Sequence, residues 1–323
     1  MSDVRIAQVG CGYWGKNLVR NFAQIGALGA VVDGDADTAA RMAAEHGAPA
    51  RTLDEVLADP AIGGVSFATP AETHAALAAK ALAAGKHVYV EKPLALSAEE
   101  CRGMIADAER AGRVLMVGHL LQYHPVFSAL REMVAAGELG ALRYVYSNRL
   151  SLGKFRTEED VLWSFAPHDV SMILALAGRP VTQVHARGHS FVTPGLADMA
   201  TLELGFDGGL AAHAFTSWAH PFKEQRLVAV GETGMAVFED SAPDWARKLA
   251  VYRHGIDTSG AVPVPSKADA DYVDVPKGEP LRTECEAFVE AVRTGRAPRT
   301  DGAEGLAVID VLERASAAMG GRP

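Results

Sequence analysis

An apolar run, Val4 to Val9, ends in Gly10-Cys11-Gly12-Tyr13-Trp14-Gly15, and an acid, Asp33, stands eighteen residues after the last glycine. Few structures accommodate G-x-G-x-x-G in that setting. The order reads strand, glycine turn, helix over 16–25, second apolar run over 29–32, acid. In such a βαβ unit Gly10 makes the tight turn, Gly12 lets the backbone approach a pyrophosphate, and Gly15 lets the helix pack against the strand. The helix N-terminus offers free N–H groups and the positive end of its dipole to phosphates. Asp33 would accept hydrogen bonds from ribose hydroxyls and repel a 2′-phosphate, so the expected cofactor is NAD(H) rather than NADP(H). The bland alternative is a glycine turn with no ligand.

The rest of the first 120 residues keeps the same alternation. Helix patterns run over 36–46, 52–57, 73–84 and 97–111, and short apolar strands over 64–68, 87–90 and 114–117. Strands separated by helices imply a parallel, doubly wound sheet, whose ligands sit at the carboxyl ends of the strands. Thr69-Pro70 and Glu91-Lys92-Pro93 fall at such ends, as do the glycine turn and Asp33. The second half changes rhythm. A helix over 124–136 is followed by strand-like runs at 143–150, 181–189, 199–206, 210–218, 225–230 and 235–239, with a helix over 169–176 among them. This spacing predicts a large, mostly antiparallel open sheet. Residues 242–275 read as irregular, and helices over 281–294 and 302–319 close the chain. The expected fold is therefore α/β, with an N-terminal Rossmann domain over 1–120 and an α+β domain over 121–323, the last helices returning to the first domain.

Composition supports a cofactor enzyme. The 323 residues are 49% apolar and carry a formal charge of −9, which disfavours nucleic acid or an anionic membrane as partner. Three cysteines, Cys11, Cys101 and Cys285, form neither a disulfide framework nor a metal spacing, which fits a reducing cytoplasm. No apolar run approaches the ~20 residues of a membrane span. The first strand starts too early for a signal peptide, so the expected location is cytoplasmic. The eleven histidines suggest no metal site: His185 and His189 lie on a strand-like run where i and i+4 do not converge as on a helix.

Several side chains could carry chemistry. Lys92, at a strand end, reads either as a surface lysine before a turn or as the group that polarises a substrate hydroxyl during hydride transfer. A cis Pro93 would fix its direction. His168, after Pro167 and beside Asp169, reads either as the first turn of an apolar helix or as the general base for that hydroxyl. Two basic stretches, Asn148-Arg149 with Lys154 and Arg156, and Lys223 with Arg226, are either solvated surface or anchors for an anionic substrate. Tyr123, Trp163 and Trp218 are read first as core, with stacking on a sugar or base as the alternative.

The motifs Gly10-Cys-Gly-Tyr-Trp-Gly15, Ala68-Thr-Pro70 with Thr73-His74, Glu91-Lys-Pro93, Gly118-His119 with Tyr123-His124-Pro125, and Pro167-His168-Asp169 together resemble the glucose–fructose oxidoreductase / inositol dehydrogenase (Gfo/Idh/MocA) family. The resemblance spans almost the whole chain. It implies sugar or cyclitol oxidoreduction and an open sheet that makes dimer or tetramer contacts. By position it implies Lys92 and His168 as catalytic. It places Cys11, Tyr13, Trp14, Thr69, Pro70, His74, Glu91, Pro93 and Gln122 at the cofactor beside the three glycines and Asp33. Tyr123, Asn148, Arg149, Lys154, Arg156, Trp163, Ser164, Lys223 and Arg226 would then meet the substrate. Ser164 departs from the family, many of whose members carry an aspartate four residues before the histidine. The stretches 118–125, 148–156 and 162–169 are similar to sugar-nucleotide dehydrogenases of bacterial surface-polysaccharide pathways. That likeness implies oxidation of the 3-hydroxyl of a substrate such as UDP-N-acetylglucosaminuronate. Alternatives are another sugar or inositol as substrate, or a non-catalytic NAD sensor on the same scaffold.

Overall fold

The computed structural model describes residues 4–320, which divide into two compact units: 4–123 with 279–310, and 124–278 with 311–320. The first unit opens with β1 (Ile6–Val9), α1 (Gly15–Gln24), β2 (Leu28–Val32), α2 (Ala36–His46), α3 (Leu53–Ala58), β3 (Gly64–Phe67), α4 (His74–Ala83), β4 (His87–Glu91), α5 (Ala98–Ala111) and β5 (Leu115–Gly118). The strands pair in parallel in the order β2-β1-β3-β4-β5. β1, β3, β4 and β5 are buried at every position, as a sheet covered on both faces requires. Helix ends follow local chemistry: the Ser97 hydroxyl accepts from Glu100 N at the start of α5, and Gly112 ends that helix at φ +60°.

The second unit contains α6 (Pro125–Ala135), β6 (Leu142–Leu152), α7 (Val161–Ala177), β7 (Val181–His189), β8 (Met199–Phe206), β9 (Ala211–Ser217), β10 (Ala219–Gly231), β11 (Met235–Glu239), β12 (Leu249–Tyr252), β13 (Gly255–Asp257), β14 (Val264–Ser266) and β15 (Ala270–Tyr272). Eight strands form one sheet in the order β15-β12-β11-β10-β6-β9-β8-β7, antiparallel except for β6 against β9. Residues 242–275, expected to be irregular, instead supply β12 to β15. These runs are only three or four residues long, too short to show a period. Helix α7 packs on one face of the sheet, against β6, β8 and β9. Ala200, Leu202, Leu204, Ala212 and Ala214 are buried on that face, while Thr201, Glu203 and His213 alternate onto the other, exposed face.

Two helices follow. α8 (Pro280–Thr294) lies in the first unit, and α9 (Gly302–Ala318) belongs to it as far as Asp310. Leu281, Cys285, Phe288 and Ala291 of α8 complete the first unit's core with Ile6, Leu18, Phe22, Tyr89 and Met116. Phe288 meets Phe22 and Tyr89 at centroid distances of 6.4 and 5.7 Å.

Candidate active site

The glycine turn is shaped for a close approach. Gly10 has φ +81°, and a Cβ there would stand 2.5 Å from Ala68 O. A Cβ on Gly15 would stand 1.9 Å from Gly10 O, so the start of α1 can reach the turn only as glycine. At Gly12 a Cβ would meet nothing within 4 Å, which leaves open space where a phosphate would lie. No side chain caps α1, and its first turn holds no acid, so its N-terminus stays available to an anion. These features fit a dinucleotide.

Asp33 binds the turn itself: Oδ2 accepts from Cys11 N at 2.6 Å and Oδ1 from Asp35 N at 2.9 Å. Cys11 is buried, and burial together with the Asp33 charge pushes its thiol up to about 11, so it is a packed, unreactive group. His74 joins two of the expected motifs, with Nδ1 2.8 Å from Pro93 O and Nε2 3.0 Å from Thr69 O. The Lys92–Pro93 bond is cis. Glu91 is the last residue of β4, and its Oε1 accepts from Trp14 Nε1 at 2.5 Å and from the Tyr89 hydroxyl at 3.0 Å. Tyr13 of the turn is 90% exposed. Gln122 is buried, and its main-chain carbonyl accepts from Arg299 Nη1. The first unit thus gathers the glycine turn, Asp33, Thr69-Pro70, His74 and Glu91-Lys92-Pro93 at the carboxyl edge of its parallel sheet.

The second unit corrects the expected setting of His168. α7 begins at Val161, not near Asp169, so His168 lies in mid-helix and Asp169 is no first-turn acid. The helix runs through Pro167, and Asp160 caps it by accepting from Trp163 N at 3.1 Å. Asp169 is buried and receives Arg149 Nε at 2.6 Å, Arg149 Nη2 at 3.2 Å and the Ser147 hydroxyl at 2.5 Å. Arg149 is therefore tied to a buried carboxylate in the middle of the His168 helix rather than held out for an external anion.

The two basic stretches do not form one patch. Arg226 pairs in register with Asn148, one position off Arg149, so strand alternation sends Asn148 and Arg226 to the opposite face from Arg149. There Asn148 Nδ2 donates to Glu224 Oε1 at 2.8 Å, and Arg226 is paired with Glu239 and Glu224. Arg156 pairs with Glu159 at 3.1 Å, while Lys154 and Lys223 are exposed. Lys223 lies in the stretch of β10 where the register slips between Ala219 and Glu224. Tyr123, Trp163 and Trp218, read first as core, all lie in the interior. Tyr123 bonds the Thr300 hydroxyl at 3.1 Å and is pushed up to about 12 by burial; Trp163 Nε1 donates to Ser316 Oγ at 2.8 Å. Trp218 is also buried and donates to Asp198 Oδ1 at 2.6 Å. Ser164 is buried. Among the described residues no cluster of three or more His, Cys, Asp or Glu side chains could hold a metal ion.

A glycine-turn parallel sheet with an acid closing the turn, joined to a large half-covered sheet, defines an NAD-binding oxidoreductase. The comparisons agree. The NAD-binding Rossmann domain of the oxidoreductase family matches residues 4–119, and the GFO/IDH/MocA C-terminal domain matches residues 127–237. The chain belongs to the Gfo/Idh/MocA family. It is 32% identical over 314 residues, 96% of this chain and 95% of the relative, to UDP-N-acetylglucosamine 3-dehydrogenase of Acidithiobacillus ferrooxidans. A solved structure of that enzyme has a TM-score of 0.85 and covers 97% of both chains at 30% identity. The chain is 29% identical to scyllo-inositol 2-dehydrogenase (NAD+) of Bacillus subtilis over 72% of each chain. It is similar to GenD2 from gentamicin A biosynthesis in complex with NAD, with a TM-score of 0.81 and 26% identity over 99% of this chain and 95% of that one. No helix among the described residues is long and apolar enough to cross a membrane.

Proposed function

We propose that this chain is an NAD-dependent dehydrogenase that oxidises the 3-hydroxyl of a UDP-linked N-acetylated amino sugar. The observation that carries this is the similarity, over nearly the full length of both chains, to an enzyme named for oxidation of UDP-N-acetylglucosamine at that carbon. When bound, NAD supplies the hydride acceptor. Lys92 donates to the sugar hydroxyl and stabilises negative charge on its oxygen. His168 takes the hydroxyl proton. The glycine turn holds the pyrophosphate, and Asp33 the ribose.

Whether the sugar carries a hydroxymethyl or a carboxylate at C6 turns on the basic side chains. Arg149, Arg156 and Arg226 each have an acidic partner, which favours a sugar with a neutral hydroxymethyl at C6, as in UDP-N-acetylglucosamine. The uronate is the second reading, supported by the exposed Lys154 and Lys223. The polymer partner we propose is another copy of the chain. The sheet face away from α7 is open, with the exposed aromatics Tyr144 and Tyr272 set among polar side chains, a mixed surface that self-association can cover.

The test is incubation with NAD and UDP-N-acetylglucosamine deuterated at C3. Deuterium appearing in NADH, and abolished by Lys92→Ala, supports the reading. NADH formed from inositol but not from either UDP-sugar overturns it.

A further inference from the structure

The Tyr89 hydroxyl stands between two buried carboxyl groups, 3.0 Å from Glu91 Oε1 and 3.1 Å from Glu284 Oε2. Both glutamates belong to the first unit, Glu91 at the end of β4 and Glu284 on α8, and Glu284 is wholly buried. A phenol has one proton to donate, and an ionised carboxylate has none. Both contacts are hydrogen bonds only if one of the glutamates is a neutral acid that donates to the phenol oxygen.

The surroundings decide which. Burial pushes the Glu91 carboxyl up as well, but Glu91 accepts from Trp14 Nε1 at 2.5 Å, from the Tyr89 hydroxyl and from Lys92 N at 3.2 Å, with the Lys92 charge adjacent, and all of these oppose the rise. Glu284 Oε1 has no hydrogen-bond partner, and no cation compensates its charge. The charged and titratable groups around Glu284 are Glu91 and Tyr89 on β4, Tyr123, Glu304 on α9 and its neighbour Cys285, and Glu304 is in turn held by His119 at 2.6 Å. Burial and the negative charges of Glu91 and Glu304 push the Glu284 carboxyl well above the usual range. Room is tight: a Cβ at Gly118 would stand 2.5 Å from the Tyr89 hydroxyl and 3.0 Å from the Glu91 carboxyl carbon.

We infer that Glu284 is a neutral carboxylic acid whose proton is donated to Tyr89, so that the Tyr89 proton is donated to Glu91 and Glu91 is held as the carboxylate that fixes Trp14 of the glycine turn and the backbone of Lys92. Glu284 is then a positioning residue, three hydrogen bonds removed from Trp14 of the turn and from the Lys92 backbone. Its purpose rests on the reading of that edge as the cofactor site, but the protonation pattern does not depend on any substrate.

The test is infrared spectroscopy of the purified full-length protein near neutral pH, comparing wild type with Glu284→Gln and Glu91→Gln. The carbonyl stretch of a neutral carboxylic acid is expected to disappear from Glu284→Gln and to persist in Glu91→Gln. Loss in Glu91→Gln with persistence in Glu284→Gln puts the proton on the other acid and overturns the inference, as does a spectrum neither change alters. Melting against pH reads the same proton independently. The folded state holds a proton that the unfolded chain releases near the ordinary glutamate range, so wild-type stability falls as pH rises from there. The Tm advantage of Glu284→Gln over wild type should therefore grow between pH 5 and pH 8, and an advantage constant over that range contradicts the assignment. For the positioning role, Glu284→Leu removes the donor and should raise the Kd for NADH about fivefold, the loss of one hydrogen bond. Gln at the same place, whose amide still donates, should restore most of it. Equal Kd values in the Leu variant and wild type would reduce Glu284 to packing alone.

Discussion

Of the nine side chains expected to meet the substrate beside Lys92 and His168, Arg149 is the one whose role most changes once its partner is seen. Its guanidinium is spent on Asp169, buried beside Ser147 in the middle of the His168 helix. Removing one partner of a buried ion pair leaves an uncompensated charge, which costs about 3–5 kcal/mol. Asp169→Ala is accordingly expected to lower the free energy of unfolding in urea by that order while the protein still binds NADH. A variant of wild-type stability with a raised KM for the sugar nucleotide would return Arg149 and Asp169 to direct substrate contact. The glycine roles and the acid Asp33 were legible in the sequence because each follows from backbone geometry at fixed spacing. The buried pairs were not. Tyr89 and Glu91 stand two apart on a strand and share a face, but nothing local points from them to Glu284, 195 positions away.

Among the elements, strands and helices with clear punctuation were readable nearly to the residue. α5 follows Ser97 and ends at Gly112, and β7, β8 and β11 match their apolar alternation. α7 was misjudged because Pro167 reads as a helix start. In the structure that proline only omits one donor inside a helix whose true signal, Asp160, lies seven residues earlier. The basic patch dissolved for an equally simple reason: neighbours in sequence on a strand face opposite ways. Two further elements carry a pH prediction. His87 on β4 accepts from Val114 N at 3.0 Å, and His124 caps α6 by accepting from Val126 N at 3.2 Å, so both need a free lone pair. Burial holds each down at about 4, from an ordinary 6.5. As pH falls from 6.5 to 4 the unfolded chain takes up protons that the folded one refuses, so stability declines through that window. His124→Asn, which keeps a capping oxygen without the titration, is expected to reduce that decline by about 1–2 kcal/mol in unfolding titrations between pH 7 and 4. An unchanged slope would show that His124 protonates freely in the fold.

For the whole molecule, ligand linkage gives the most direct check. A ligand at 100 times its Kd stabilises the folded state by about 2.7 kcal/mol. NADH at such excess should raise Tm by several degrees. NADPH at the same concentration should raise it much less, because Asp33 places a negative charge where the 2′-phosphate would lie. Equal shifts would remove Asp33 from cofactor choice. At this scale the sequence showed the change of rhythm near residue 120 and the two kinds of sheet. It led to the expectation that the last helices return to the first domain, but not to which side chains of α8 enter that core, since an amphipathic helix does not announce its partners.

That placement of α8 bears on how the chain is made. Leu281 and Phe288 seal the core around Phe22 and Tyr89, yet they follow residues 124–278, all of which belong to the other unit. Synthesis proceeds at roughly 5–20 residues per second, so some ten to thirty seconds separate the last parallel strand from its covering helix. Through that interval the nascent first unit presents an uncovered aromatic face at the ribosome. The order in which the two units mature is thus written into the path of the chain: the second can fold while the first waits for its lid.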